Sequence, residues 1–155
     1  MPYTIIDSCT GCGACVRICP TWAITGKKKD VHQIDEDLCI ECGACGRICP
    51  NAAVKDRFGH VCAMVKRSQW ERPAFASDTC MSCSMCIDAC PVNCLALSET
   101  GGPKDLHGYP WLKDEKACIG CGFCEAECPV GAVTMVVPVP KEEPVKAKPA
   151  ARAAR

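Results

Sequence analysis

Aromatic side chains make up only 5% of this 155-residue chain, which excludes a core built on large rings. No stretch approaches the ~18 consecutive apolar residues that a membrane helix needs. The formal charge is zero only while every cysteine is counted as a neutral thiol. The glycines form no G-x-G-x-x-G fingerprint, no P-loop and no cradle for flavin phosphates. No nucleophile-and-base arrangement stands apart from the cysteines, so the chain is not expected to be an enzyme on its own. Its first residues, MPYTIIDSC, carry no basic n-region, apolar h-region or cleavage site, so secretion is not expected. A reducing, cytoplasmic setting is expected instead, and there clustered cysteines mean metal rather than disulfides.

What the chain does have is 18 cysteines, and 16 of them repeat one pattern four times. The runs are Cys9, Cys12, Cys15, Cys19; Cys39, Cys42, Cys45, Cys49; Cys80, Cys83, Cys86, Cys90; and Cys118, Cys121, Cys124, Cys128. Each is followed by proline: Pro20, Pro50, Pro91 and Pro129. This is the C-x2-C-x2-C-x3-C-P run of bacterial iron–sulfur proteins. Four runs imply four [4Fe-4S] clusters. Zinc ribbons draw two cysteines from each of two separated C-x2-C pairs, whereas here three close cysteines precede a fourth and a proline. Each oxidised cluster with its thiolates would add a charge of about −2, so the loaded protein is expected to be acidic and not to bind nucleic acid.

The runs form a pair of pairs. The first two start 30 residues apart, the last two 38 apart, and the third 71 after the first. A two-run unit has been duplicated, and such a repeat is recognised before single elements are assigned. The predicted units are residues 1–58 and 78–137, with a connecting segment at 59–77 and an extended or disordered tail at 138–155. Short strands are expected at Thr4–Ile6, Val31–Ile34, Ala74–Ala76 and Pro110–Leu112, forming hairpins with the segments after the prolines. Those segments carry Ala23, Ala53, Cys94 and Ala132 at equivalent places, each followed by an aliphatic residue. Short helices between the third and fourth cysteines end at the prolines. Glu99–Gly108 reads as an exposed loop. From Pro138 the tail holds five basic and two acidic residues, with little to bury. Halves of about 60 residues are marginal without metal staples, so the apo-chain is expected to be largely unfolded.

The segments Tyr3–Pro20 and Val31–Pro50 resemble clostridial-type two-cluster ferredoxins, and the second unit resembles them less closely. The resemblance covers about residues 1–58 and 78–137. It implies an α+β fold of two tandem modules, each a pseudo-twofold βαβ–βαβ unit around two cubanes. It also implies crossed ligation, in which the fourth cysteine of a run serves the other cluster. The implied sets are Cys9/Cys12/Cys15/Cys49, Cys39/Cys42/Cys45/Cys19, Cys80/Cys83/Cys86/Cys128 and Cys118/Cys121/Cys124/Cys90.

Gly13, Gly43 and Gly122 follow the second cysteine and are expected to let backbone N–H groups approach the sulfurs, while the third run has Ser84. Arg17 and Arg47 lie beside the first two runs, and Asp88, Glu125 and Glu127 beside the others. At ~8 Å and a dielectric of ~40 one charge is worth about 1 kcal/mol, or ~45 mV, so the second pair of clusters is expected at lower potential. Cys94 and Cys62 are read as packing residues. His32, His60 and His107 are read as surface residues. Tyr3 and Trp22 are expected to pack and exclude water beside clusters. Trp70 is the best candidate for a partner anchor.

With no chemistry of its own beyond the clusters, the chain reads as an electron-transfer subunit of an oxidoreductase complex. Two modules and a Pro/Ala/Lys tail resemble the small subunit of tungsten-dependent aldehyde oxidoreductases, which implies a tungstopterin subunit and an FAD/NAD subunit as partners. Iron–sulfur subunits of benzoyl-CoA reductases, hydrogenases and formate dehydrogenases are similar. A free polyferredoxin carrier is the alternative. A third reading is head-to-tail association into a filament that does not close.

Overall fold

The computed structural model describes residues 2–99 and 108–138. Each half runs strand, helix, strand, strand, helix, strand. In the first half these are β1 (Thr4–Ile5), α1 (Ala14–Ile18), β2 (Ile24–Thr25), β3 (Gln33–Ile34), α2 (Ala44–Ile48) and β4 (Val54–Lys55). In the second they are β5 (Arg72–Phe75), α3 (Met85–Asp88), β6 (Leu95–Leu97), β7 (Pro110–Leu112), α4 (Phe123–Ala126) and β8 (Val133–Val136).

Only the inner strands form hairpins. β2 pairs antiparallel with β3, and β6 with β7. The first strand of each half instead pairs with the last, β1 with β4 and β5 with β8. Closing a half therefore needs both of its cysteine runs in place.

The helices begin one residue before the third cysteine of each run, so that cysteine lies in the first turn. A left-handed residue starts each of them: Gly13, Gly43, Ser84 and Gly122, with φ of 73°, 72°, 65° and 81°. Ser84 accepts this conformation without glycine's freedom, at a steric cost. The Cys-Pro pair stops the helices, because the residue before a proline is pushed out of the helical region.

The connection between the halves is not a free tether. Val61 bridges to Lys55, the Cys62 N–H donates to the Val54 carbonyl (2.8 Å), and the Val65 N–H donates to the Arg47 carbonyl (2.9 Å). A single 3-10 turn at Arg67–Gln69 follows. The segment expected to be connection up to residue 77 already contains β5, a strand of the second half. The predicted loop at Glu99–Gly108 lies almost wholly outside the described residues, as does the tail beyond residue 138.

Gly46 in α2 marks how closely the connection is laid down. A Cβ there would sit 2.7 Å from Cys62 Cβ and Sγ. Gly46→Ala is expected to destabilise the loaded protein by about 1–3 kcal/mol, measured by denaturant titration. A cost near zero would mean that this segment is not packed on α2.

Candidate metal centres

Eight of the thirteen buried residues in the two main clusters are cysteine. One holds Cys86, Cys90, Cys94, Cys118 and Cys124 with Leu95 and Val133; another holds Cys15, Cys45 and Cys49 with Ile24, Ala53 and Val54. The sequence places these thiols indoors through one backbone device repeated four times. The second residue after the first cysteine is left-handed in every run: Gly11, Glu41, Ser82 and Gly120, with φ of 63°, 55°, 55° and 62°. So is the second residue after each proline, namely Trp22, Ala52, Asn93 and Gly131, with φ of 54°, 48°, 49° and 65°. These turns aim N–H groups at sulfur. Ala53 N–H donates to Cys49 Sγ at 3.3 Å, and Ala132 N–H to Cys128 Sγ at 3.2 Å. Gly11 N–H donates to Cys9 Sγ at 3.5 Å. At Cys42 and Cys121 the N–H groups of Ala44 and Phe123, the residues after Gly43 and Gly122, favour the thiolate against the effect of burial. The glycine turns the chain for its neighbour.

The thiols gather in sets that cross between runs. Cys9, Cys12, Cys15 and Cys49 line one hollow, with Ile5, His32 and Val54 as walls. Cys19, Cys39, Cys42 and Cys45 line a second with Tyr3, Ile24 and Ile34. Cys90, Cys118, Cys121 and Cys124 line a third, and Cys94 joins them. In the remaining set, Cys80, Cys128 and Cys83 lie within electrostatic reach of Cys86.

Among the described residues no three His, Cys, Asp or Glu side chains converge on a single-ion site. Four sulfurs spread around an apolar hollow suit a cube with metal at its corners better than one zinc ion. Burial pushes the Cys45 and Cys124 thiols up to about 12. Metal must therefore displace protons from these sulfurs as it binds.

The structure also decides which sets are neighbours. Cys42 lies within reach of Cys121. Both pack on a buried cluster of Ala44, Trp70 and Ile119 that joins the halves. The spatial order is therefore the Cys9, Cys39, Cys118 and Cys80 sets, with the last two runs reversed relative to the chain. Trp70 is 1% exposed and donates its ring N–H to the Val65 carbonyl at 2.9 Å. It is thus an internal joint and not a partner anchor. Arg67 and Arg47 lie over its ring, at 4.4 and 5.1 Å from the centroid. Arg47 also donates to the carbonyls of Cys42 (3.1 Å) and Ile119 (2.8 Å), spanning the joint. Arg72 is buried beside them and donates to the carbonyls of Trp70, Glu71 and Arg67. The ion pairs among the described residues, Arg57–Glu41 and His60–Asp56, involve none of these three arginines. No carboxylate there balances their charge.

Other expectations change as well. His32 is buried at 3% exposure, with Nδ1 3.8 Å from Cys9 Sγ, because the turn around Gly26 folds it over the first set. His60 is exposed as expected, and His107 lies outside the described residues. Trp22 does not shield a cluster: its left-handed backbone throws the ring outward, 78% exposed. Tyr3 does line a thiol-bounded hollow. Cys62 packs half-buried against Gly46. Cys94 is buried, but its Sγ lies 3.4 Å from Cys90 Sγ, closer than simple packing requires. The sequence signal for this was its offset of four from Cys90, the same offset at which Ala53 and Ala132 meet their sulfurs.

A family model described as a 4Fe-4S dicluster domain matches residues 8–53 and 79–132, and a second model of the same description matches residues 31–91. A ferredoxin from Pyrobaculum islandicum (strain DSM 4184 / JCM 9189 / GEO3) is 32% identical over 71 residues, covering 46% of this chain and 59% of that ferredoxin. A chain of the formate dehydrogenase–heterodisulfide reductase–formylmethanofuran dehydrogenase complex from Methanospirillum hungatei aligns at 24% identity and a TM-score of 0.39, covering 81% of this chain and 47% of its own. Among the described residues no helix is long and apolar enough to cross a membrane. With matched segments spanning both cysteine-rich halves, the chain belongs to the 4Fe-4S dicluster domain family.

Proposed function

We propose that the chain holds four [4Fe-4S] clusters in two tandem, pseudo-twofold ferredoxin modules and serves as a relay between redox partners. The observation that carries this reading is the crossed gathering of thiols around apolar hollows. The ligands are Cys9/Cys12/Cys15/Cys49, Cys39/Cys42/Cys45/Cys19, Cys118/Cys121/Cys124/Cys90 and Cys80/Cys83/Cys86/Cys128. When bound, each cluster supplies reversible one-electron chemistry. The protein's part is to fix the sulfurs, exclude water with Tyr3, Ile24, Ile34 and Val54, and aim N–H groups at the thiolates. The two outer sets are the natural points of exchange with partners, and the Cys42–Cys121 approach is the passage between modules.

Iron counting tests the crossed sets. Anaerobic preparations are expected to hold about sixteen irons per chain. Cys19→Ala and Cys39→Ala should each lower this to about twelve, and so should the double variant, because both residues serve one cluster. About eight irons in the double variant would show uncrossed ligation.

The parent assembly we infer is an oxidoreductase complex of the tungsten-dependent aldehyde oxidoreductase kind, in which this chain joins a tungstopterin subunit to an FAD/NAD subunit. The two-module layout and the Pro/Ala/Lys tail support it. The likeness to a ferredoxin favours a second reading, a free polyferredoxin carrier. Native purification with subunit identification and iron, tungsten and molybdenum analysis separates them: a lone monomer supports the carrier.

Charge differs between the outer sets. Arg17 stands two residues after Cys15, and Asp88 two after Cys86. The Cys80 set is expected to titrate lower than the Cys9 set by about 45 mV per charge at ~8 Å and a dielectric of ~40. Asp88→Asn should raise the lowest of the four potentials. If none of them moves, local charge does not set the order.

A further inference from the structure

We propose that the Cys94 thiol is a positioning hydrogen-bond donor that raises the potential of one centre, the one held by Cys118, Cys121, Cys124 and Cys90. The inference rests on the ligand assignment above and concerns a side chain outside it.

Three observations meet at this residue. Its Sγ lies 3.4 Å from Cys90 Sγ, within reach of an S–H···S bond. It is 2% exposed, so water does not compete for the proton. It also lines the same hollow as Cys90, Cys118, Cys121 and Cys124. The other repeats provide an internal control. Ala23, Ala53 and Ala132 stand at the equivalent positions, where a methyl group donates nothing. Backbone donors recur between the repeats: Ala53 and Ala132 N–H groups bond Cys49 and Cys128. At this position a side-chain proton is what this centre has and the alanines of its counterparts lack; elsewhere Thr21 Oγ1 lies 3.6 Å from Cys19 Sγ and His32 Nδ1 3.8 Å from Cys9 Sγ.

The direction of the effect follows from charge. A thiolate sulfur on iron becomes more negative when the centre takes up an electron, so a donated proton stabilises the reduced form more than the oxidised one. Hydrogen bonds to the sulfurs are among the levers that set such potentials. Cys118 lines the same hollow, and the ligand sulfur that the Cys94 thiol approaches within hydrogen-bond distance is Cys90. This centre faces the first module through the approach of Cys121 to Cys42. Cys94 therefore sets the level of a junction centre relative to its neighbours, against the acidic residues that lower the second half.

The test uses the full chain, prepared anaerobically as wild type, Cys94→Ala and Cys94→Ser, with iron counts and potentiometric titration followed by electron paramagnetic resonance. Cys94→Ala reproduces what three repeats already carry, so it is expected to keep all its iron. One of the four potentials should fall by the equivalent of a tenfold change in the oxidised-to-reduced ratio, about 59 mV for one electron. Cys94→Ser, which retains a donor, should recover part of that shift. Four unmoved potentials with full iron would overturn the proposal and leave Cys94 as packing. Loss of about a quarter of the iron in Cys94→Ala, with full iron in Cys90→Ala, would also overturn it, and would show in addition that the ligand assignment is wrong.

Discussion

Removing the iron from this chain is expected to unfold it entirely. No element can stand alone. The helices have four or five residues and the strands two to four. Isolated helices shorter than about 12 residues are marginal in water, and so are two-stranded sheets. Tertiary burial must hold them, yet the buried clusters consist largely of the ligand thiols themselves. Without metal, those thiols line hollows that have lost their contents, and the remaining apolar side chains are few. Binding free energy and folding free energy are then the same quantity. Circular dichroism and hydrogen exchange, recorded after iron is stripped under reducing conditions, should show no protected strands. Retained protection at β1–β4 or β5–β8 would falsify this account, because those pairings are the ones that close each half.

Trp70→Ala is expected to cost about 3–5 kcal/mol, the range for truncating a buried aromatic. The ring fills the joint with Ala44 and Ile119 and is the common surface under Arg47 and Arg67. Its loss opens a cavity and removes the surface on which two guanidinium groups rest. The iron count should stay near sixteen, since no ligand is touched. Denaturant titration with exchange mapping should show the joint opening before either module. Trp22→Ala is the contrasting control: the ring is 78% exposed, and a change within about 0.5 kcal/mol is expected. Equal effects at the two positions would mean that Trp70 is not a structural joint.

The arginines around Trp70 sharpen this expectation. Arg47 Nε, Arg67 Nη1 and Arg72 Nε are buried without a hydrogen-bond partner among the described residues. Burying like charges together is costly unless an opposite charge lies close. The proposed centres on either side of the joint, at Cys42 and Cys121, would supply that negative charge. Docking of the halves and loading with iron then reinforce each other.

The metal chemistry was legible in the chain because it is written in spacing. Three cysteines at intervals of three, a fourth at four and a proline give a turn, a short helix and a stop, whatever surrounds them. The duplicated pair of runs likewise marked two halves, and Pro110–Leu112 was identified as a strand to the residue. Side-chain environments were less legible. His32 resembled a surface histidine until the turn at Gly26 folded it against Cys9. Trp22 reads in the sequence as packing beside a cluster and Trp70 as a partner anchor, yet the first is flung out by a left-handed backbone and the second is the most deeply buried ring among the described residues. Cys94 looked like a spare alanine.

The sequence by itself determined that sulfur would be grouped in fours and that short elements would alternate around it, because ligand spacing and helix-stopping prolines act within a few residues. The crossing of the groups between runs is what the family resemblance implies; only the tertiary structure decided that the Cys118 set and not the Cys80 set meets the first module, and that Trp70 is the joint. Those outcomes depend on contacts between residues as far apart as Arg47 and Ile119, where local preference is silent and packing selects.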